Sequence, residues 1–159
     1  MSANTRQYAQ NLLDSARRDG KEDTYLAELS RINDRINASE ELREYFNGAQ
    51  NTLSEKKERA EELFGSSEVL SAFFRSVAAN GNSSLTGMIE DFTEVYYQSR
   101  GICPGILYSV RPLDEGTVER VEKAVSSNMG TPVKLRSRID ESLLGGIKVV
   151  VNDRVWDGS

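Results

Sequence analysis

Apolar residues recur at helical spacing through the first hundred positions and at strand spacing after them. In residues 5–18, Tyr8, Ala9, Leu12, Leu13 and Ala16 fall one, three and four apart, which puts one apolar face on a helix ended by Gly20. Residues 22–37 repeat the pattern with Leu26, Leu29, Ile32 and Ile36. Ser39 caps a short helix holding Leu42, Tyr45 and Phe46, which stops at Asn47-Gly48. Thr52-Leu53-Ser54-Glu55 is a capping-box pattern: the threonine accepts from the amide three residues on, and the glutamate reaches back. The helix it opens runs through Ala60, Leu63 and Phe64 to Gly65. A fifth, from about Ser67 to Asn80, turns Leu70, Phe73, Phe74 and Val77 inward, and Asn80-Gly81-Asn82-Ser83 breaks it. The sixth carries Leu85, Met88, Ile89, Phe92, Val95 and Tyr96. Amphipathic segments joined by short connections predict a six-helix bundle over residues 1–100.

The period then changes. Gly101-Ile102-Cys103-Pro104-Gly105 reads as a linker, residues 101–105, ahead of a second domain spanning 106–159. Ile106-Leu107-Tyr108-Ser109-Val110 reads as a strand, and Asp114 to Met129 as a helix with Val118, Val121 and Val125 on one side. Residues 133–139 alternate apolar and polar with only Ser137 out of step, residues 146–151 form another strand, and Asn152-Asp153 turns the chain into Arg154-Val155-Trp156. The expected fold class is therefore α+β: the bundle followed by a small β-α-β-β-β domain.

Charge supports the division. Residues 1–100 carry 12 Lys+Arg against 17 Asp+Glu, whereas residues 101–159 carry 8 against 8, so the net −5 belongs to the bundle. This balance argues against a nucleic-acid protein, which would present a basic face. No apolar run approaches the roughly 20 residues that span a bilayer, and no apolar signal core follows the N-terminus, so membrane association is expected only through a partner.

There is no histidine, which removes the commonest general base and metal ligand and excludes serine–histidine and cysteine–histidine catalysis within the chain. Cys103 has no second cysteine for a disulfide or metal set, which suits a reducing compartment and a lone thiol. Glu58, Glu61, Glu62 and Glu68 are interleaved with Lys56, Lys57 and Arg59 and read as a solvated helix face rather than paired catalytic carboxylates. Gly145-Gly146 precedes a strand rather than a helix and reads as a tight turn, not a phosphate loop. Lys134, Arg136 and Arg138 share one side of a strand, where they suit either phosphate or a solvated, aggregation-resistant edge. No catalytic residue, metal site or cofactor is expected. Helical stripes that leave a groove open suit a partner helix.

Near the C-terminus stand Val133-Lys134-Leu135, then Ile139-Asp140-Glu141-Ser142-Leu143-Leu144-Gly145-Gly146-Ile147-Lys148-Val149, then Asp157-Gly158-Ser159. This order of strand, Asp-x-Ser, two apolar residues, glycine pair, strand and closing Asp-Gly-Ser resembles the C-terminal signature of the delta subunit of bacterial and chloroplast F-type ATP synthases. The mitochondrial relative of that family is the oligomycin-sensitivity-conferring protein. Tyr8-Ala9 with Leu12 and Ala16 is similar to the family's first helix, and Ala38-Ser39-Glu40-Glu41-Leu42 to the start of its third. The chain departs from the pattern at Asn80-Gly81-Asn82-Ser83, where members often carry Asn-x-Arg-Leu, and at Val150, often polar in relatives. It also stops at Asp157-Gly158-Ser159, where the family usually continues into a further helix.

The resemblance implies a non-catalytic stator subunit, present once per hetero-oligomeric complex, that keeps the catalytic head still against rotor torque. It implies that the bundle binds the N-terminal helix of an alpha subunit in a groove between the first and fifth helices, with Tyr8, Leu12, Ala16, Phe74, Val77 and Ala78 as the contact residues. It implies that the second domain meets b-type peripheral-stalk subunits. Asp140, Ser142, Gly145, Gly146, Asp157 and Gly158 are expected to serve the fold. The implied location is the cytoplasmic face of a bacterial plasma membrane, or the stromal face of the thylakoid, peripheral through the complex. With the further helix missing, Val149, Val151 and Trp156 are expected to face solvent or a partner. The competing expectation is a helical protein–protein adaptor outside this family, which the residues read without the resemblance also allow.

Overall fold

The computed structural model describes residues 3–81 and 84–158, with side chains from residue 5 onward; Asn82, Ser83 and Ser159, named above, lie outside them. The chain divides into two compact units, Met1–Tyr96 and Tyr97–Ser159.

Among the described residues, the helices of the first part are α1 (Ala3–Arg18), α2 (Glu22–Asn37), α3 (Glu40–Asn47), α4 (Leu53–Phe64), α5 (Glu68–Asn80) and α6 (Leu85–Ser99). Local chemistry starts four of them, and at α6 Ser84 accepts the Gly87 amide at 3.2 Å. Ser39 accepts the Leu42 amide at 3.3 Å. Thr52 and Glu55 complete the capping box reciprocally, at 3.1 and 3.2 Å. Ser67 accepts the Leu70 amide at 3.0 Å while its hydroxyl donates to Glu28 at 2.5 Å, so one residue both caps α5 and ties it to α2.

The apolar stripes meet around α5, which packs against α1, α2 and α4. Leu13, Leu29, Ile36, Phe46, Phe73 and Phe92 are fully or almost fully buried. Each such side chain contributes about 1.5–3 kcal/mol of burial. Leu26, expected on the core face of α2, is only half-buried; Tyr25 takes that place. Its ring lies 6.4 Å from that of Phe92. Lys56 departs from the solvated face expected for it. It is 2% exposed, and its ammonium donates to the Gly48 carbonyl at 2.6 Å, just past the C-terminal end of α3. A cation there complements the negative end of the α3 dipole.

The second unit holds β1 (Cys103–Ser109), α7 (Glu115–Met129), β2 (Val133–Ile139), β3 (Ile147–Val151) and β4 (Arg154–Asp157). The sheet order is β2-β1-β3-β4, with β1 parallel to β2 and antiparallel to β3, and β4 the hairpin return of β3. A parallel pair needs a crossover, and α7 supplies it. Asp114 caps α7 through the Thr117 amide at 2.7 Å.

β1 begins at Cys103, so the stretch expected as a linker is largely strand. The physical reason is Gly105. A Cβ there would lie 2.6 Å from Val151 Cγ2, 2.9 Å from Leu135 Cδ2 and 2.9 Å from the Val150 carbonyl oxygen. This glycine marks a close-packed central strand rather than a flexible joint. The same packing corrects the expectation for the last residues. Val149 and Val151 are buried with Leu107, Val125, Val133 and Leu135, because β3 lies inside the sheet; only Trp156 is left half-buried.

Candidate partner-binding surfaces

In the first unit, α1 and α5 lie side by side, and the Ser76 hydroxyl donates to the Tyr8 carbonyl at 3.4 Å. The six residues expected to line the groove lie on these two helices. Leu12, Ala16, Phe74 and Val77 are all buried, because the two helices close on each other and use these side chains as core. Of the six residues, Tyr8 is half-buried and Ala78 exposed. An open groove of about 250 Å³ lies between α4 and α5. Leu53, Phe74 and Ala78 supply its apolar lining, Ser54 and Ser71 its hydroxyls, and Lys57 and Arg75 its charge. Exposed Ala78 thus belongs to an accessible surface on the other flank of α5, with buried Phe74 beneath it as part of the floor.

In the second unit the signature residues form one connected turn. The Asp140 amide donates to the Ser109 carbonyl at 2.8 Å, which fixes the end of β2 to the end of β1. The Asp140 carboxylate accepts the Ser142 hydroxyl at 2.5 Å and the Ser142 amide at 3.0 Å. Those bonds, the hydroxyl first, hold the Asp140 carboxyl below the usual carboxylate range. Gly145 and Gly146 follow with φ of 143° and 66°, conformations that β-carbon-bearing residues rarely adopt. The Gly158 amide donates to the Ile147 carbonyl at 2.9 Å and closes the β3–β4 ladder beside exposed Asp157. Asp140, Ser142, Gly145, Gly146 and Gly158 therefore build turns and strand ends. Leu144, at the tip of this turn, is fully exposed.

A second open groove, about 470 Å³, runs between α7 and the strands; Val121, Ala124, Ile147 and Trp156 are among its walls. No group of acidic or cysteine side chains suited to a metal ion occurs among the described residues, and no described helix is long and apolar enough to cross a membrane. Each unit thus offers a shallow surface with an apolar floor, edged by Lys57 and Arg75 in the first and by Asp157 in the second, which suits protein docking.

A family model described as ATP synthase delta (OSCP) subunit matches residues 5–159, and so covers both units. The chain belongs to the ATP synthase delta (OSCP) subunit family. Among its relatives, the ATP synthase subunit delta of Syntrophomonas wolfei is 29% identical over 157 residues, covering 97% of this chain and 86% of that protein. The subunit of the same name from Geotalea uraniireducens is 26% identical over 165 residues, covering 100% and 92%. A chain in the structure of the Toxoplasma gondii mitochondrial ATP synthase hexamer shares the fold, with a TM-score of 0.64 at 13% identity, over 99% of this chain and 90% of that one.

As a delta/OSCP member, the chain is a non-catalytic stator subunit of an F-type ATP synthase and is peripheral to that complex. Membership sets aside the adaptor outside the family. Sequence reasoning missed two features of these surfaces. One is the α4–α5 groove, whose Lys57 and Arg75 are far apart in sequence. The other is Gly105, whose closeness to Val151 only the strand order reveals.

Proposed function

We propose that this subunit joins the catalytic head to the peripheral stalk, with one unit for each partner. The bundle takes the N-terminal helix of an alpha subunit, and the second unit meets b-type stalk subunits. The observation that carries this reading is the family match across residues 5–159, which spans both units rather than one. On the bundle, the alpha segment lies against α5, reaching Phe74 and exposed Ala78 through the α4–α5 groove and Tyr8 at the α1 edge. Leu12, Ala16 and Val77 support those helices from within. One copy serves each complex, on the side of the coupling membrane that carries the catalytic head: the cytoplasmic face in a bacterium, the stromal face in a chloroplast.

Calorimetric titration of the full chain with a peptide of the alpha N-terminal segment tests the first contact, and capture of b-type subunits by the immobilised chain tests the second. Saturable binding of the peptide, weakened by Ala78→Arg, supports the reading. Absence of peptide binding, or equal binding by that variant, removes the α5 assignment.

A further inference from the structure

The α4–α5 groove is walled by one stripe from each helix. Leu53 and Lys57 stand one turn apart on α4, and Ser71, Phe74, Arg75 and Ala78 fall three and four apart along α5, so each set occupies one side of its helix. Each helix sets a cation beside apolar residues. Leu53 and Lys57 are half-buried, buried Phe74 forms part of the floor, and Arg75 and Ala78 are exposed.

Among the described residues, neither the Lys57 nor the Arg75 side chain has an ion pair or a hydrogen bond. Arg75 acts on the Tyr25 hydroxyl electrostatically, without bonding to it. Acids close to them in sequence are engaged elsewhere. Glu61, one turn after Lys57, accepts the Ser66 hydroxyl at 2.8 Å. Glu68, two turns before Arg75, is paired with Lys21 at 3.0 Å. The two cations therefore stand available in a groove of a body that is otherwise acidic, with 12 Lys+Arg against 17 Asp+Glu over residues 1–100.

We propose that this groove recognises its partner helix by one placed carboxylate: an apolar side chain lies over Leu53, Phe74 and Ala78, and an Asp or Glu one turn away meets Lys57 and Arg75. Three observations select that occupant. The volume of about 250 Å³ lies below the roughly 300–1,000 Å³ of pockets that enclose small molecules, so it suits a few side chains of a docked segment. A free phosphate would leave the apolar floor unmatched, whereas a helix laid between two helices brings apolar and acidic side chains three or four apart to the same side. The acidity of the bundle repels a segment that is acidic throughout, while the two cations attract a carboxylate at contact, so the rule is a single acid in a neutral or basic segment. This deepens the proposed function and rests on it: the occupant is the alpha N-terminal segment, and the groove fixes which of its positions must be acidic.

The test titrates the full chain with the peptide of the alpha N-terminal segment, and with versions in which each acidic residue of that peptide is replaced in turn by lysine. One of these replacements should weaken binding to the parent chain by roughly tenfold or more, and the others far less. Lys57→Glu/Arg75→Glu should lose the parent peptide to a similar extent and regain affinity for that one lysine version. Lys57→Gln/Arg75→Gln should weaken the parent peptide without that regain, and it decides the matter if the reversed variant is unfolded in thermal melts. Lys123→Glu on α7 changes charge outside the groove and should leave binding unchanged. Inorganic phosphate at matched ionic strength should not displace the peptide. Equal binding of all the peptides by the parent chain, no compensating regain in a folded reversed variant, or displacement by phosphate overturns the proposal. Binding of the parent peptide by the parent chain and by both groove variants alike would remove this rule while leaving the alpha contact intact. No binding of the parent peptide by the parent chain would remove that contact itself, and this rule with it.

Discussion

The Glu122 carboxylate of α7 accepts the backbone amide of Leu135 in β2 at 2.7 Å. β2 is an edge strand, and the Leu135 amide points away from its neighbour β1. The Ser126 hydroxyl treats the Val133 amide in the same way, at 3.0 Å. The crossover helix therefore satisfies the edge that it crosses, a means of covering an exposed strand. Glu122→Ala leaves a partly buried amide without its partner and should cost about 1–3 kcal/mol, while Glu122→Gln keeps an acceptor and should cost less. Denaturant melts give the costs, and amide exchange at Leu135 should accelerate in the alanine variant alone.

Gly105 has no room for a β-carbon between Val151 and Leu135. Gly105→Val should destabilise the second unit by about 3 kcal/mol or more, since overpacking adds to a clash with backbone. Circular dichroism of the variant should show the helical signal of the bundle retained. An unchanged melting profile would mean that the strand can shift to admit the side chain.

The capping box at α4 gives a smaller, separable effect. Thr52→Ala removes the acceptor for the Glu55 amide and should cost about 1 kcal/mol of stability. Thr52→Ser should be close to neutral in the same melts, because the hydroxyl is kept.

Acid should act on the second unit through two turn carboxylates. Asp114 is held below its usual range by the Thr117 amide and then its hydroxyl, and Asp140 by the Ser142 hydroxyl and then its amide. A lowered folded-state value means that the unfolded chain takes the proton more readily. The contribution is therefore present above the ordinary carboxylate value of 3.8 and is lost as pH falls through the folded value. An Asp114→Ala/Asp140→Ala variant should be less stable than the parent at neutral pH, and the difference should shrink below about pH 4. A gap that stays constant into acid would assign these residues a role other than charge-assisted capping.

Much of this was legible from periodicity. The helices of the bundle end at the glycines and caps that sequence marks, because capping and the apolar stripe are local properties of the chain. The glycine pair was recognisable as a tight turn from residue type, whereas Asp140 and Ser142 stood out only through the resemblance to the family's C-terminal signature. What depended on distant neighbours was not legible. Lys56 sits in a run of charges and looks solvated; its burial comes from the Gly48 carbonyl beneath it. Gly105 looks like part of a Gly/Pro joint until β3 is placed beside β1. Leu12, Ala16, Phe74 and Val77 have the spacing of either a groove or a core, and whether α1 and α5 close is decided by packing.

A bridging experiment tests whether this subunit links two partners at once. Catalytic head stripped of its delta subunit, b-type stalk subunits and the full chain are mixed and resolved by size-exclusion chromatography with mass detection. Head and stalk should co-elute in one complex only when the chain is present, at one copy per complex. Head and stalk that stay apart in its presence, or that associate equally without it, would contradict this link.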